Sequence, residues 1–411
     1  MSRALGEVVV VGGSLAGLRA AETLRSDGFE GAVTVVGAET HRPYDRPPLS
    51  KKLLLGEWEP DRIVLRKDDA IDELDVHWRL GVAATALDIE GRHVHLSDGT
   101  SLRYDGAVIA TGATCCRMPD PGEHRDIHEL RTLDDSLRLR RRLAVGGHAV
   151  VVIGAGFIGL EVAAAARMLG NRVTVLEMAP APLTRALGAE MGRVVGDLHE
   201  AEGVDVRCGV RIERLVESGV LLDDGELVAA DIVVVGIGVL PTVGWLEGSG
   251  LELRDGVVCD RHLAARTAAG PVAPGVFAAG DVARWLNPLF DEEMRVEHWT
   301  NAAEQGAVAA RNLLAASQGA PLESYAPVPF FWSDQYSHRI QFLGRAGDGD
   351  DVRVVAGSVD EGKFLALYSR DGRLGGVLGL NAPRWVMKMR GALLDRLSWD
   401  DAIEAVTGAT A

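Results

Sequence analysis

The chain has 411 residues, 47% of them hydrophobic and 25% charged, which is ordinary for a folded globular protein of two or three domains. Its formal net charge of −16 argues against nucleic acid or an anionic membrane as a partner across the whole surface. No apolar run reaches the roughly 20 residues that span a bilayer, and four cysteines without zinc-like or iron–sulfur spacing fit a reducing cytoplasm and predict no metal site.

The first predicted unit is a strand, a glycine turn and a helix over residues 7–24, EVVVVGGSLAGLRAAETL, followed by a strand that ends at Glu39. Such a β–α–β unit favours a parallel sheet covered by helices, with a dinucleotide at the turn. The turn departs from the usual pattern because Ser14 stands where a middle glycine is expected. A serine keeps its backbone N–H, so we still predict a dinucleotide site.

The next segment, PYDRPPLSKK (43–52), carries no sulfur, although a redox cysteine follows such a unit in many flavin enzymes. It offers Arg46, Ser50, Lys51 and Lys52 instead. Pro47 and Pro48 restrict the backbone and could direct Lys51 towards a cofactor. Taken alone, the two lysines could equally form a solvated helix start.

A second β–α–β unit covers residues 148–177, and its turn GAGFIG (154–159) fits the G-x-G-x-x-G pattern. In that pattern one glycine permits the turn, one lets a pyrophosphate approach the backbone, and one allows close packing of helix on strand. Glu177, 23 residues after Gly154, is placed to bind the ribose hydroxyls. No arginine follows it to receive a 2′-phosphate, so NADH is favoured over NADPH.

Two further strand ends indicate FAD as the first dinucleotide. IATGA (109–113) ends a predicted buried strand in a glycine turn, and VFAAGD (276–281) finishes on Asp281, which suits the hydroxylated ribitol chain. An Asp that merely caps a turn is the alternative. Residues 297–314 predict a helix with Thr300 or Asn301 as its N-cap, whose positive end would face the flavin.

From about residue 323 the pattern changes to short aromatic-rich strands and a helical tail, which predict a smaller α+β domain. The predicted fold class is therefore α/β, with two Rossmann-like dinucleotide-binding domains and a C-terminal α+β domain. We predict a discontinuous FAD-binding domain over 1–113 and 246–322, an NAD-binding domain over 114–245, and the C-terminal domain over 323–411.

Assembled, these segments resemble the NADH-dependent ferredoxin reductases that serve oxygenases, the family of putidaredoxin reductase, rubredoxin reductase and the reductase components of aromatic-ring dioxygenases. The resemblance covers essentially the whole chain. The two glycine turns are shared with a wider superfamily, whereas RPYDRPPLSK (42–51) and FFWSDQY (330–336) are more specific to this group. It implies an enzyme that holds FAD, takes electrons from NADH and passes them to a [2Fe–2S] type ferredoxin, which in turn feeds an oxygenase.

The turns and the resemblance together give a set of expected contacts. For FAD they are Gly12, Gly13, Ser14, Ala16, Gly17, Glu39, Arg46, Lys51, Ala84, Thr111, Gly112, Arg131, Gly280, Asp281, Trp299 and Ala302. For NAD they are Gly154, Gly156, Phe157, Ile158, Gly159, Glu161, Glu177 and Gly238. The resemblance implies catalytic roles for Lys51 beside the flavin, for Glu161 as its partner near the nicotinamide, and for Trp332 on the side where the iron–sulfur protein docks.

Other functions remain open at this point. A disulfide reductase needs a thiol beside the flavin, and all four cysteines lie far from segment 43–52 in sequence. A flavin-dependent NADH oxidase, or a redox-sensing flavoprotein without a ferredoxin partner, is the alternative function. Docking of an acidic ferredoxin would need a local basic patch, with Arg339, Arg384, Lys388 and Arg390 as candidates. The sequence leaves monomer and dimer open.

Overall fold

The computed structural model describes residues 5–118, 122–347 and 349–410, with the backbone alone for 407–410. These residues form two compact units, each assembled from three stretches of chain. The first unit contains the described residues up to Asp45 together with Ile63–Thr114 and Leu240–Pro329. The second contains Arg46–Arg62, Cys115–Val239 and the described residues from Phe330 onward. The three-domain division with its own boundaries stays a prediction.

The first unit is built on a sheet of nine strands, whose parallel part includes a valine-rich strand. Strand Glu7–Val11 lies between Ala32–Gly37 and Gly106–Ile109, parallel to both, and its four valines are buried. Both faces are covered, which is why the strand reads as a continuous apolar run. In spatial order the strands are Glu292–Arg295, Ala283–Asn287, Val257–Cys259, Ala264–Arg266, Val272–Ala278, Gly106–Ile109, Glu7–Val11, Ala32–Gly37 and His77–Leu80.

Two helices of this unit, Leu15–Ser26 and Trp299–Gln318, pack closely because small residues face each other between them. A Cβ on Gly306 would lie 2.3 Å from the carbonyl oxygen of Ala16, so the contact leaves no room for a side chain. The remaining elements are helix Asp68–Asp72, the 3-10 turns Gly244–Leu246 and Gly280–Val282, and an antiparallel sheet of Ala84–Asp88, His93–Leu96 and Ser101–Arg103.

The second unit contains a fully parallel five-stranded sheet, as the 148–177 pattern predicts. Its spatial order is Asp205–Cys208, Arg172–Glu177, Ala149–Ile153, Ile232–Val235 and Ile127–His128. Helices Leu133–Leu143, Phe157–Met168 and Thr184–Ala201 accompany it, and an antiparallel sheet of Ile212–Val216, Gly219–Leu222 and Leu227–Ala229 follows in the chain. The 3-10 turn Pro47–Ser50 belongs to the same unit.

The C-terminal residues form a five-stranded antiparallel sheet, which confirms the predicted change of pattern. In spatial order its strands are Phe330–Gln335, His338–Gly344, Arg373–Leu380, Lys363–Arg370 and Asp351–Ser358. Helices Pro383–Lys388, Arg390–Leu394 and Trp399–Thr410 complete the chain. Short strands Ala113–Cys115 and Val239–Pro241 and the 3-10 turn Pro60–Ile63 contain points at which the chain passes between units.

Within residues 5–118, 122–347 and 349–410, no helix is both long and apolar enough to cross a membrane.

Replacing Gly306 by alanine is expected to destabilise the first unit. The added methyl group must push the backbone of Ala16 away, and such overpacking typically costs about 1–3 kcal/mol. Gly244→Ala is the matched control, since a Cβ there meets no atom within 4 Å. Thermal unfolding should show a lower Tm for Gly306→Ala alone; equal Tm values for the two variants would contradict the packing described.

Candidate functional site

The glycine turn of the first unit is closed so tightly that two of its positions exclude any side chain. Gly12 has a φ of +131°, and a Cβ on it would lie 2.0 Å from the carbonyl oxygen of Ala110. A Cβ on Gly17 would lie 1.8 Å from the carbonyl oxygen of Gly12. At Gly13 the nearest atom would be 3.3 Å away, on Gly37. The fold therefore requires glycine at positions 12 and 17 of this turn.

Ser14 stands at the N-cap of the helix that begins at Leu15. Its side chain makes no capping hydrogen bond to that helix, and no acidic residue lies in the first turn. The first N–H groups of a helix carry a partial positive charge that suits a phosphate. The replacement of the middle glycine thus leaves the helix end available to an anion.

Three residues predicted to contact FAD converge in this unit. A Cβ on Gly280 would lie 3.2 Å from the Cβ of Ala16 and 3.6 Å from that of Ala302, and Gly280 has a φ of +79°. Its N–H donates to Oε1 of Gln305 over 2.8 Å. Within the described residues, Nε2 of the fully buried Gln305 has no hydrogen-bond partner. A buried donor without an acceptor costs about 1–3 kcal/mol, so the site fits a ligand that brings acceptor oxygens.

Gln305 was missed by the sequence reasoning, and so was Thr242. Thr111 donates its hydroxyl to the carbonyl of Thr242 over 2.9 Å, and the N–H of Thr242 donates to the carbonyl of Gly112 over 2.9 Å. This exchange closes the turn after strand Gly106–Ile109. No sequence motif marks Gln305 or Thr242, because their partners lie 25 and 131 residues away in the chain.

The other predicted residues of the first unit are placed as follows. Glu39 is half-buried and accepts a short hydrogen bond from the hydroxyl of Tyr44. Trp299 donates its indole N–H to Asp45 over 2.6 Å. Ala84 begins a strand, and the carbonyl of Asp281 accepts from Arg295 over 3.2 Å.

The predicted N-cap of the helix at 297–314 is wrong. The helix begins at Trp299, and His298 is its N-cap without a capping side-chain bond. Thr300 and Asn301 lie inside the first turn, where Asn301 instead donates from its amide to the carbonyl of Val296 over 3.0 Å. Asparagine favours N-cap positions, but Asn301 does not occupy one because it is buried and its amide is hydrogen-bonded elsewhere.

The three glycines of the turn in the second unit are not all required for the same reason. A Cβ on Gly154 would lie 2.4 Å from the carbonyl oxygen of Gly236, and one on Gly159 would lie 2.1 Å from that of Gly154. A Cβ on Gly156 would meet no atom within 4 Å. The fold thus requires the first and third glycines, whereas the second leaves open a space that a pyrophosphate fits.

Glu177 ties this turn to the next strand. One carboxylate oxygen accepts from the N–H of Ala155 over 2.7 Å, and the other accepts from the N–H of Ala179 over 2.8 Å. The carboxylate is therefore oriented by the backbone, with lone pairs left for ribose hydroxyls. Gly238 has a φ of +106°, and a Cβ there would also meet no protein atom within 4 Å.

The helix that starts at this turn carries Phe157 and Ile158 before Glu161. The ring of Phe157 contacts that of Phe331 at a centroid distance of 4.7 Å, while Ile158 is exposed. Glu161 itself is buried, with 3% of its side chain exposed. A carboxylate so deeply buried requires charge and hydrogen-bond partners.

Lys51 supplies the charge. Its Nζ lies 2.7 Å from Oε2 of Glu161, and its N–H donates to the carbonyl of Pro48. The hydroxyls of Ser50 and Ser333 also donate to Glu161, the first by a short bond to Oε2 and the second over 2.6 Å to Oε1. Segment 43–52 therefore places two donors on one buried carboxylate.

Three further predicted residues belong to the second unit. Arg46 donates to the carbonyl of Arg131 over 2.5 Å. Trp332 is partly exposed and stacks on Phe330 at a centroid distance of 5.9 Å. Trp332 and Phe330 lie on one face of their strand, whereas Phe331 and Ser333 lie on the other, as alternation requires.

The chain is similar to known reductases along its length. Residues 6–306 match the family described as pyridine nucleotide-disulphide oxidoreductase, and residues 330–406 match the reductase C-terminal domain. The chain is 39% identical to the anthranilate 1,2-dioxygenase system ferredoxin–NAD(+) reductase component of Burkholderia cepacia, over 92% of this chain and 91% of that protein. It is 37% identical to rhodocoxin reductase of Rhodococcus erythropolis, over 93% of this chain and 88% of that protein.

A solved structure extends the similarity to the fold. The reductase of the covalent putidaredoxin reductase–putidaredoxin complex is 32% identical and superposes with a TM-score of 0.90, over 99% of each chain.

A pH-dependent contribution to stability is expected from His298. Burial lowers the pKa of His298 from 6.5 to about 4. Below pH 6.5 the unfolded chain therefore takes up a proton that the folded chain accepts only near pH 4. As the pH falls from 6.5 to 4, the free energy of unfolding should therefore decrease, by about 1.4 kcal/mol per pH unit at most.

The variant His298→Asn lacks this group, so its stability should fall less than that of the wild type between pH 6.5 and 4. Replacing the exposed His77 by asparagine is the control and should keep the wild-type dependence. Denaturant unfolding at several pH values measures the difference; parallel curves for wild type and His298→Asn would count against a buried neutral histidine.

Proposed function

Because the chain belongs to the pyridine nucleotide-disulphide oxidoreductase family and carries its reductase C-terminal domain, we propose that it is an NADH-dependent ferredoxin reductase. It takes electrons from NADH through FAD and passes them to a [2Fe–2S] ferredoxin that serves an oxygenase. Two relatives that match most of the chain support it, since one is named a ferredoxin–NAD(+) reductase component of a dioxygenase system and the other a rhodocoxin reductase. The observation that carries the proposal is the buried ion pair between Glu161, on the helix that starts at the second glycine turn, and Lys51, which follows the 3-10 turn Pro47–Ser50.

The two glycine turns divide the cofactors. We assign FAD to the turn at Gly12, with Gly280 and Gln305 as further contacts, since these residues offer bare backbone and an unsatisfied donor. We assign NADH to the turn at Gly154, where Glu177 would receive the ribose hydroxyls. Its negative charge would oppose a 2′-phosphate, which supports NADH as the nucleotide used.

We propose that the other residues predicted to contact FAD or NADH bind those cofactors as well. FAD, when bound, supplies the redox chemistry by accepting a hydride and releasing electrons singly. Lys51 holds a positive charge in a largely buried position, and Glu161 orients that ammonium group through their ion pair. A fixed cation stabilises negative charge that develops during reduction without reorganising at that moment.

The chain offers no thiol in segment 43–52, and this supports single-electron transfer over a disulfide relay. An NADH oxidase or a redox-sensing flavoprotein without a ferredoxin partner is the competing function. A cytoplasmic location accompanies the assignment and is proposed because the four cysteines are free thiols without zinc-like or iron–sulfur spacing.

The decisive experiment is an anaerobic titration of the purified protein with NADH, followed by a ferredoxin of an oxygenase system. The flavin spectrum should bleach with NADH and return when the ferredoxin is added. Cytochrome c reduction should depend on the added ferredoxin. Rapid turnover with oxygen alone, and none with ferredoxin, would instead identify an oxidase.

Replacing Lys51 by methionine tests its proposed role. The change keeps the aliphatic stem but removes the charge, so FAD should stay bound while flavin reduction by NADH slows by about 100-fold, the loss typical when one charge-stabilising group is removed. Lys52→Met is the matched control, because Lys52 is exposed and lies over the ring of Trp58. Stopped-flow absorbance measures both; an unchanged rate for Lys51→Met would leave the segment as scaffold.

The C-terminal helices are the proposed docking surface for the ferredoxin. Arg384, Lys388 and Arg390 are exposed there, and Met387 and Leu394 add exposed apolar area beside them. Arg339 is exposed as well, but it lies 3.7 Å from Asp334. A local basic patch answers the problem that the chain as a whole is acidic.

Reversing the charge in Arg390→Glu should therefore raise the KM for ferredoxin a few-fold at low salt, and the effect should shrink as salt is added. Reduction of ferricyanide by NADH, which needs no protein docking, should be unchanged. Arg193→Glu, on the exposed side of another helix of the same unit, is the control. Equal KM values for both variants would move the docking surface elsewhere.

A further inference from the structure

Beyond Lys51, the buried carboxylate of Glu161 is connected to a line of polar side chains. Ser333 lies 2.6 Å from Oε1 of Glu161, and Nε2 of Gln335 lies 3.1 Å from the hydroxyl of Ser333. Oε1 of Gln335 then lies 2.8 Å from Nε2 of His199. The line ends where the hydroxyl of Tyr336 lies 3.2 Å from Nδ1 of His199.

The interior of this line excludes solvent. Ser333 and His199 are 0% exposed and Gln335 is 3% exposed. Ser333 and Gln335 are two residues apart on strand Phe330–Gln335, so they project from the same face. His199 comes from helix Thr184–Ala201. Two separate elements therefore contribute to one polar line through an apolar interior, where each unmade hydrogen bond is costly.

The direction of every bond follows from the charge at one end. The carboxylate paired with Lys51 can only accept, so Ser333 must donate to it. The hydroxyl oxygen of Ser333 then accepts from the amide of Gln335, which turns the amide oxygen towards His199. That oxygen requires a proton on Nε2 of His199.

The other ring nitrogen completes the pattern. Burial lowers the pKa of His199, so the ring is neutral and its Nδ1 accepts from the hydroxyl of Tyr336. Four hydrogen bonds thus point the same way, each with its donor on the side away from Glu161. Hydrogen bonds aligned in this way polarise one another, which strengthens the bond that Ser333 donates to Glu161.

We propose that Ser333, Gln335 and His199 are positioning residues that hold the carboxylate of Glu161 in the orientation that pairs it with Lys51. Without the Ser333 donor, one oxygen of a buried carboxylate would lose its protein partner, and the carboxylate could rotate away from the ammonium group. The role deepens the proposed function, because it concerns the same ion pair.

The first test determines the direction of the hydrogen bonds from the protonated nitrogen of His199, and it does not depend on enzyme activity. In protein with 15N-labelled histidine at pH 7, the chemical shifts of His199 should show a proton on Nε2 and none on Nδ1. A His199→Gln variant identifies the signals. A proton on Nδ1, or on both nitrogens, would overturn the proposal whatever the protein does with NADH.

The second test measures flavin reduction by NADH in the FAD-loaded protein. Ser333→Ala should lower the limiting rate about tenfold, because Oε1 of the buried Glu161 then loses the hydroxyl that donates to it and the carboxylate is held less firmly against Lys51. The Kd for NADH should not change. Ser333→Thr keeps the hydroxyl and should restore most of the rate. Ser369→Ala removes another buried serine of the same sheet and is the control.

Gln335→Met breaks the line one bond farther from Glu161 and should lower the rate by a smaller factor, about threefold. Rate loss should therefore follow the order of the line and not the loss in Tm. If the rates instead track Tm, or if Ser333→Ala reduces its flavin as fast as Ser369→Ala, the residues are structural only. A wild-type flavin that NADH does not reduce would reject the proposed function separately.

Discussion

The second unit must accommodate the carboxylate of Glu161, whose side chain is only 3% exposed. Isolated in an apolar interior, such a charge costs several kcal/mol, and it is tolerated only with an opposite charge and a full set of donors. Lys51, Ser50 and Ser333 meet that requirement from two distant parts of the chain. Ser50 and Lys51 belong to the 3-10 turn Pro47–Ser50 and its C-cap, and Ser333 belongs to strand Phe330–Gln335, so the backbone of these two elements positions all three donors.

The glycine turns impose a second constraint, and it is purely steric. In each unit the first and last glycines of the turn lie so close to a neighbouring carbonyl that no Cβ fits. The middle position differs, since Gly156 faces open space and Ser14 occupies the corresponding place in the first unit. The first and last positions are therefore required for folding, whereas the middle position is the one that a bound phosphate can influence. This explains how a serine can replace it without loss of the turn.

Much of the site was predictable because glycine spacing and strand periodicity are local properties. The parallel sheets, the C-terminal antiparallel sheet and the family followed from segments such as 154–159 and 330–336. The N-cap at Thr300 or Asn301 was predicted wrongly, because burial of Asn301 directs its amide to Val296. Gln305 was not found at all, since a glutamine inside a helix carries no signal until Gly280 is packed against it.

By itself the sequence indicated the family, since turn geometry and the specific segments at 42–51 and 330–336 depend on neighbouring residues in the chain. It also suggested Lys51 and Glu161 as partners through a family resemblance. Only the tertiary structure decided what surrounds that pair. Ser333 lies 172 residues from Glu161, and His199 lies 136 residues from Gln335. The direction of the bonds that join them is set by a buried charge, and burial is a property of the folded chain alone.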